Sequence, residues 1–259
     1  MRSKFYLLDI CHKNDSFKDE TLICLQLVWK LLIMNFMSRS VEVISYMYVG
    51  RLGEIYLSSA GLANVTSNVT GNSILMGLGG ALSTLASQAH GAGDENLLSE
   101  LLQRAVMILT IVCIPISISW IFSSKIIEFL GQDHEIAHLS SSYLMFLVPG
   151  LFSKAYSICL EGWLTSQQET EGPAVISICT AILHPLWCYF FIFSMNFHYL
   201  GSAAAISFTR FLEALFLTIN VAYVIVKQKK TFLFTRRAFT KWGSYLAIGV
   251  PNVLMTSQW

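Results

Sequence analysis

The chain has 259 residues, 54% hydrophobic and only 13% charged, with a mean hydropathy of +0.56. Soluble domains carry about 25% charged residues, and a chain this size still needs a wetted surface in water, so the composition points to a membrane. A net charge of +1 argues against a nucleic-acid binder, which would show a basic face.

The first 20 residues, ending in Lys18-Asp19-Glu20, are polar and mixed in charge. They lack the apolar run and small-residue cleavage site of a secretory signal, and the segment 1–21 reads as a soluble tail. Six apolar windows follow, each near the ~20 residues a spanning helix requires: Leu22–Val49, Ile55–Leu82, Leu101–Phe122, Leu139–Leu164, Ala174–Phe193 and Ser202–Val226. A seventh opens near Gly243 and reaches Trp259. The runs are too long and too evenly apolar for the alternating strands of a membrane barrel. The expected fold is all-α and transmembrane: a six-helix bundle over 22–226, a basic loop at 227–242, and the start of a seventh helix at 243–259. Small residues recur in GLGGALSTLAS (Gly77 to Ser87) and GSAAAIS (Gly201 to Ser207), where they let helices approach closely in lipid.

The six cysteines form no C-x-x-C pair and lie mostly in apolar runs, where cysteine behaves as a small hydrophobe. Two N-x-T sequons, at Asn64 and Asn68, sit inside an apolar run and are not expected to carry glycans. No cofactor is expected.

Lysine and arginine in the links set orientation. Counting the tail, Arg104 at the end of the second link, and the sixth link, one side collects eleven; the other holds Arg51 and Lys125. The tail and sixth link are therefore expected in the cytosol, and the Gln132–His138 link on the opposite side.

Besides Arg104, counted with the second link, seven charged residues fall inside the windows: Lys30, Arg39, Glu42, Lys154, Glu161, Arg210 and Glu213. Each costs about 2.5 kcal/mol or more when exposed to hydrocarbon. Lys30, Lys154 and Glu161 are expected to reach toward the membrane surface. Arg39 with Glu42, and Arg210 with Glu213, are R-x-x-E pairs near mid-window, so each pair shares a helix face. The functional reading is a polar cavity at mid-depth, where transporters hold ligands, with the arginines as counter-ions. The plainer reading is two self-neutralised pairs locking helices together. Asn68, Asn72, Thr84 and Gln88 add polarity along the second window; the plainer reading for these is hydrogen bonding between helices.

One string points elsewhere. HEIAH (His134 to His138) satisfies H-E-x-x-H, the pattern in which two histidines one turn apart hold zinc. A zinc protease needs a third ligand, and Glu161 lies about a span length away.

The second window and its exit, NVTGNSILMGLGGALSTLASQAHGAGD (Asn68 to Asp94), resemble the signature of the multidrug and toxin extrusion (MATE) family. Further matches follow in order: MYVGRLGE (Met47 to Glu54), FLGQDHEI (Phe129 to Ile136), YLMFLVPGLF (Tyr143 to Phe152), Gln167 and Gln168 before Pro173, LHPLWCY (Leu183 to Tyr189) and AIGVPNVLM (Ala247 to Met255). They run from about residue 22 to 259 and favour the eukaryotic branch.

The resemblance implies a twelve-helix secondary transporter built of two six-helix lobes, exporting organic cations, drugs or metabolites in exchange for protons or sodium. Its expected partners are the bilayer, a small and mostly cationic substrate, H+ or Na+, and a missing C-terminal lobe. The expected membrane is the plasma membrane or a vacuolar or lysosomal one. Only the first lobe is represented, so the chain is expected to be a fragment or a truncated product. The candidate binding residues are Glu42, Arg39, Asn68, Asn72, Gln88, Tyr189, Arg210 and Glu213.

Several positions depart from the pattern. VWK (Val28 to Lys30) lacks the usual helix-starting proline. Ser45 stands where bacterial members carry a coupling aspartate. Glu42 and Arg39 replace a glutamine and an uncharged residue. Gln258 or Trp259 aligns with the essential glutamate of E-W-W, leaving Glu42 or Glu213 to supply a coupling carboxylate. The competing readings are a truncated non-transporting membrane protein, or a half-lobe that pairs with another chain, and, more remotely, a membrane zinc protease.

Overall fold

The computed structural model describes residues 17–228 and 242–256. The tail before Phe17, the basic positions from Lys229 to Lys241, and Gln258 and Trp259 lie outside the described residues.

Every described element is a helix. In chain order they are α1 (Phe17–Gly50), α2 (Glu54–Ser67), α3 (Ser73–Gly91), α4 (Glu95–Ile121), the short α5 (Ser123–Phe129), α6 (His134–Thr165), α7 (Glu171–Tyr189), α8 (Leu200–Lys227) and α9 (Trp242–Thr256). A wide turn, Asn68–Asn72, joins α2 to α3 without breaking the rod, and another, Phe190–Ser194, extends α7. Four of these are long and apolar enough to cross a bilayer: α4, α6, α8 and the extended α7 (Glu171–Ser194). The two rods that carry the most polarity, α1 and the interrupted 54–91, complete the bundle. Helix α1 begins at Phe17, five residues before the apolar window opens.

Two family-like strings turn out to be helix stops followed by helix starts. In HGAGD, Gly93 takes φ +73° and Asp94 N–H donates to Ala89 O, closing α3; the Asp94 carboxylate then accepts from Leu97 N at 3.0 Å and opens α4. In LGQD, Gly131 takes φ +89° and the Asp133 carboxylate accepts from Glu135 N at 2.9 Å. Glycine supplies the left-handed turn at low cost, and aspartate satisfies an otherwise orphaned helix N–H. Asp133 therefore fills the N-cap position of α6.

Helix α6 is the hub, touching α2, α3, α4, α5 and α8. Its contact with α8 is a polar seam: Tyr143 Oη lies 3.1 Å from Ser202 Oγ, and Ser207 Oγ donates to Phe146 O at 2.6 Å. A side chain at Gly150 would strike Ser207. Its contact with α3 is built the same way, Gly79 facing Ile158 and Gly162 facing Ser83. The small-residue runs thus face partner helices, as close packing in lipid requires. Arg104, counted above among link residues, is instead buried within α4 and pairs with Glu100 at 3.9 Å. It lies ten residues inside the helix, past the end of the link.

Candidate functional site

The seven interior charges divide sharply. Lys30, thirteen residues into α1, pairs at 2.9 Å with Glu171, the first residue of α7. The other six line one cavity of about 330 Å³. Its walls come from α1, the 54–91 rod, α6, α7 and α8, with Met34, Met76 and Ile158 as apolar faces. A smaller void of about 40 Å³ adjoins it and shares Glu42, Asn72, Lys154 and Arg210.

Each wall presents its polar groups for a local reason. On α8, Arg210 Nη1 bonds Glu213 Oε2 at 3.1 Å and Ser38 Oγ of α1 at 3.1 Å, so one guanidinium ties two helices. Both side chains are under 10% exposed. On α1, Arg39 and Glu42 are looser, 3.5 Å apart, with the arginine side chain 68% exposed and the glutamate 17%. The wide turn Asn68–Asn72 places Asn68 and Asn72 on the cavity, the Asn72 amide donating to Asn68 Oδ1 at 2.7 Å. Such single-turn widenings recur at functional sites. It is braced from behind: Gly71 takes the Trp120 ring of α4, and Trp120 Nε1 donates to Thr70 Oγ1 at 2.9 Å.

Lys154 and Glu161, expected to reach for the membrane surface, instead line the cavity. Seven residues apart on α6, they share a face two turns apart, and that face looks into the bundle. The spacing was readable in the sequence; its direction depended on which helices surround α6. Two other candidate binding residues lie away from this cavity's lining. Gln88 is exposed near the end of α3, sixteen residues past Asn72 and so about 24 Å further along the axis. Tyr189 is 61% exposed and stacks near Phe193. It follows buried Cys188 by one residue, which rotates it about 100° toward the outside of the bundle.

A second polar cluster was hidden in LHPLWCY. His184 is fully buried, its Nε2 2.8 Å from Ser45 Oγ and 3.2 Å from Cys188 Sγ, its Nδ1 2.8 Å from Thr209 Oγ1. Thr209 donates its own proton to Ala205 O at 2.8 Å, so it accepts from Nδ1–H, and Nε2 is left to accept from Ser45. The imidazole thereby clamps α1, α7 and α8 one turn beyond the charged cavity.

The HEIAH string does other work. His134 Nδ1 meets Glu128 Oε1 of α5 at 3.0 Å. Glu161 is 27 residues further along α6, about 40 Å along the axis. Among the described residues no three His, Cys, Asp or Glu side chains gather as metal ligands.

The MatE family model matches residues 31–190, most of the helical bundle just described. The chain belongs to the MatE family. Protein DETOXIFICATION 16 of Arabidopsis thaliana is 32% identical over 243 residues, which cover 94% of this chain and 50% of that protein. Protein DETOXIFICATION 17 of the same plant is 32% identical over 238 residues, 92% of this chain and 50% of that one. The crystal structure of the eukaryotic MATE transporter AtDTX14 superposes with a TM-score of 0.89 at 28% identity, covering 94% of this chain and 55% of that chain. This MATE chain spans about half the length of the curated relatives it matches. MATE proteins are multi-pass membrane transporters, not enzymes, and the protease reading of HEIAH falls with that membership.

Proposed function

We propose that this MATE chain forms the first lobe of a secondary active exporter. In this reading six helices cross the membrane with the amino terminus in the cytosol, and the cavity takes up small organic molecules, drugs or metabolites, in exchange for protons or sodium. The observation that carries it is the convergence of six charged side chains from three helices on one cavity. Charges placed in a membrane protein's interior are costly and mark ligand or ion pathways. Two packed lobes moving about a shared site are needed for alternating access, so a second lobe completes the pathway. Glu42 and Glu213 are the proposed ion-coupling carboxylates, with Arg39 and Arg210 as their counter-ions. The membrane is the plasma membrane or a vacuolar or lysosomal one.

The test is efflux of a fluorescent organic cation from cells, driven by an imposed proton or sodium gradient. The 259-residue chain alone is expected to be silent. Joined in frame to the second half of a MATE relative, it is expected to export. In that joined protein Glu42→Gln and Glu213→Gln should each lower efflux about tenfold, the equivalent of 1.4 kcal/mol. Unchanged efflux and pH dependence in both variants would remove these carboxylates from coupling. Efflux by the 259-residue chain alone would refute the need for a second lobe.

A further inference from the structure

The cavity holds three cations and three carboxylates, and they are not equivalent. Arg39 and Arg210 are each satisfied by a glutamate three residues away on their own helix. Lys154 and Glu161 are not: among the described residues neither has a hydrogen-bond or ion-pair partner within 4.0 Å. Both lie half-buried in the cavity wall. Lys154 sits in the electrostatic field of Glu161 and Glu213 without touching either. Their Cα atoms are separated by about 10 Å along one face of α6, with the apolar Ile158 between them. A cation alone leaves the ammonium unsatisfied, and an anion alone leaves the carboxylate so. A partly dehydrated charge without a partner is costly.

We infer that Lys154 and Glu161 form a two-pole anchor that makes this cavity selective for zwitterions, the ligand's anionic group resting on the Lys154 ammonium and its cationic group on the Glu161 carboxylate, with an apolar spacer over Ile158. This inference rests on the cavity's being the substrate site proposed above, and it replaces a simple organic cation with a mixed-charge molecule as the preferred ligand. No group in the anchor changes covalently.

The test is direct binding to the purified 259-residue chain in nanodiscs, with three probes of nearly one shape. These are p-(trimethylammoniomethyl)benzoate, a zwitterion; its methyl ester, a cation only; and p-neopentylbenzoate, an anion only. The zwitterion should bind at least about tenfold tighter than either of the others, the equivalent of about 1.4 kcal/mol, because each of the others leaves one charged pole without a partner. Lys154→Met should abolish that preference and leave the ester's affinity unchanged. Glu161→Gln should weaken the zwitterion and the ester while sparing p-neopentylbenzoate. Lys154→Arg should restore zwitterion binding, which separates a lost anchor from a misfolded chain. Equal affinity for zwitterion and ester, no binding of any probe, or indifference to Lys154→Met overturns the inference. Because binding is read without transport, a cation-exporting joined protein with no zwitterion preference sinks only this inference. Zwitterion binding in a joined protein that exports nothing sinks only the transport reading.

Discussion

Arg210 is the residue on which the cavity turns. Its guanidinium holds Glu213 on its own helix and Ser38 on α1, so removing either charge leaves the other buried without its direct ion-pair partner. Breaking one partner of such a pair costs about 3–5 kcal/mol, whereas replacing both by apolar side chains of similar volume is often neutral. Thermal unfolding in detergent should therefore show Glu213→Leu strongly destabilised and Arg210→Met/Glu213→Leu much less so. His184 makes a second prediction at this scale. His184→Leu leaves the buried Ser45 hydroxyl with only the weak Cys188 sulfur at 3.9 Å, and a poorly satisfied buried group costs about 1–3 kcal/mol, so the melting temperature should drop while the cavity charges stay in place. The two cases differ in legibility. R-x-x-E repeats announce themselves by period. A single histidine in an apolar run carries no such pattern, because its partners Ser45 and Thr209 come from other helices and only the folded bundle brings them within 2.8 Å.

At the scale of elements, the helices were readable because lipid demands long, continuous apolar runs with every backbone group satisfied within the segment. The boundaries were less so. The rod 54–91 continues well past Leu82, through polar Ser83 to Gly91, since helical hydrogen bonding does not stop where hydropathy falls. The stop is set by Gly93 and Asp94 instead. Asp94→Ala should cost about 1 kcal/mol as a lost N-cap, seen as faster amide exchange in the first turn of α4. The wide turn at Asn68–Asn72 left no trace in composition; the sequence showed two asparagines at a four-residue spacing and nothing of the extra backbone width. Its brace can be tested. Gly71→Leu drives a side chain into the Trp120 ring, and overpacking costs about 1–3 kcal/mol; the expected result is lost stability together with weakened probe binding, because Asn68 and Asn72 ride on the same turn.

At the scale of the whole molecule, one end of the bundle gathers the Lys30–Glu171 pair and the carboxyl end of α8, where the Gln228 amide donates to Glu169 Oε1 at 3.0 Å. The proposed orientation puts that basic end in the cytosol by the rule that lysine and arginine flank the inner face. A pH-sensitive fluorescent protein fused before Met1 should respond to cytosolic acidification and ignore the bath. Helix α9 adds a consequence of another kind. It lies along α3, Val253 pressed on Gly77, Leu78 pressed on Gly249, and the Tyr245 hydroxyl donating to Leu78 O at 2.7 Å. Asn252 rests beside Gly80, itself a cavity residue. The rod that carries Asn68 and Asn72 is thus gripped from outside by α9, like a lever with its handle beyond the chamber it borders. A pull on α9 reaches the asparagines through a rigid helix with no ligand contact of its own, and a single added methyl, Gly77→Ala, should slip that grip, raising amide exchange in α9 while the cavity keeps every one of its charges.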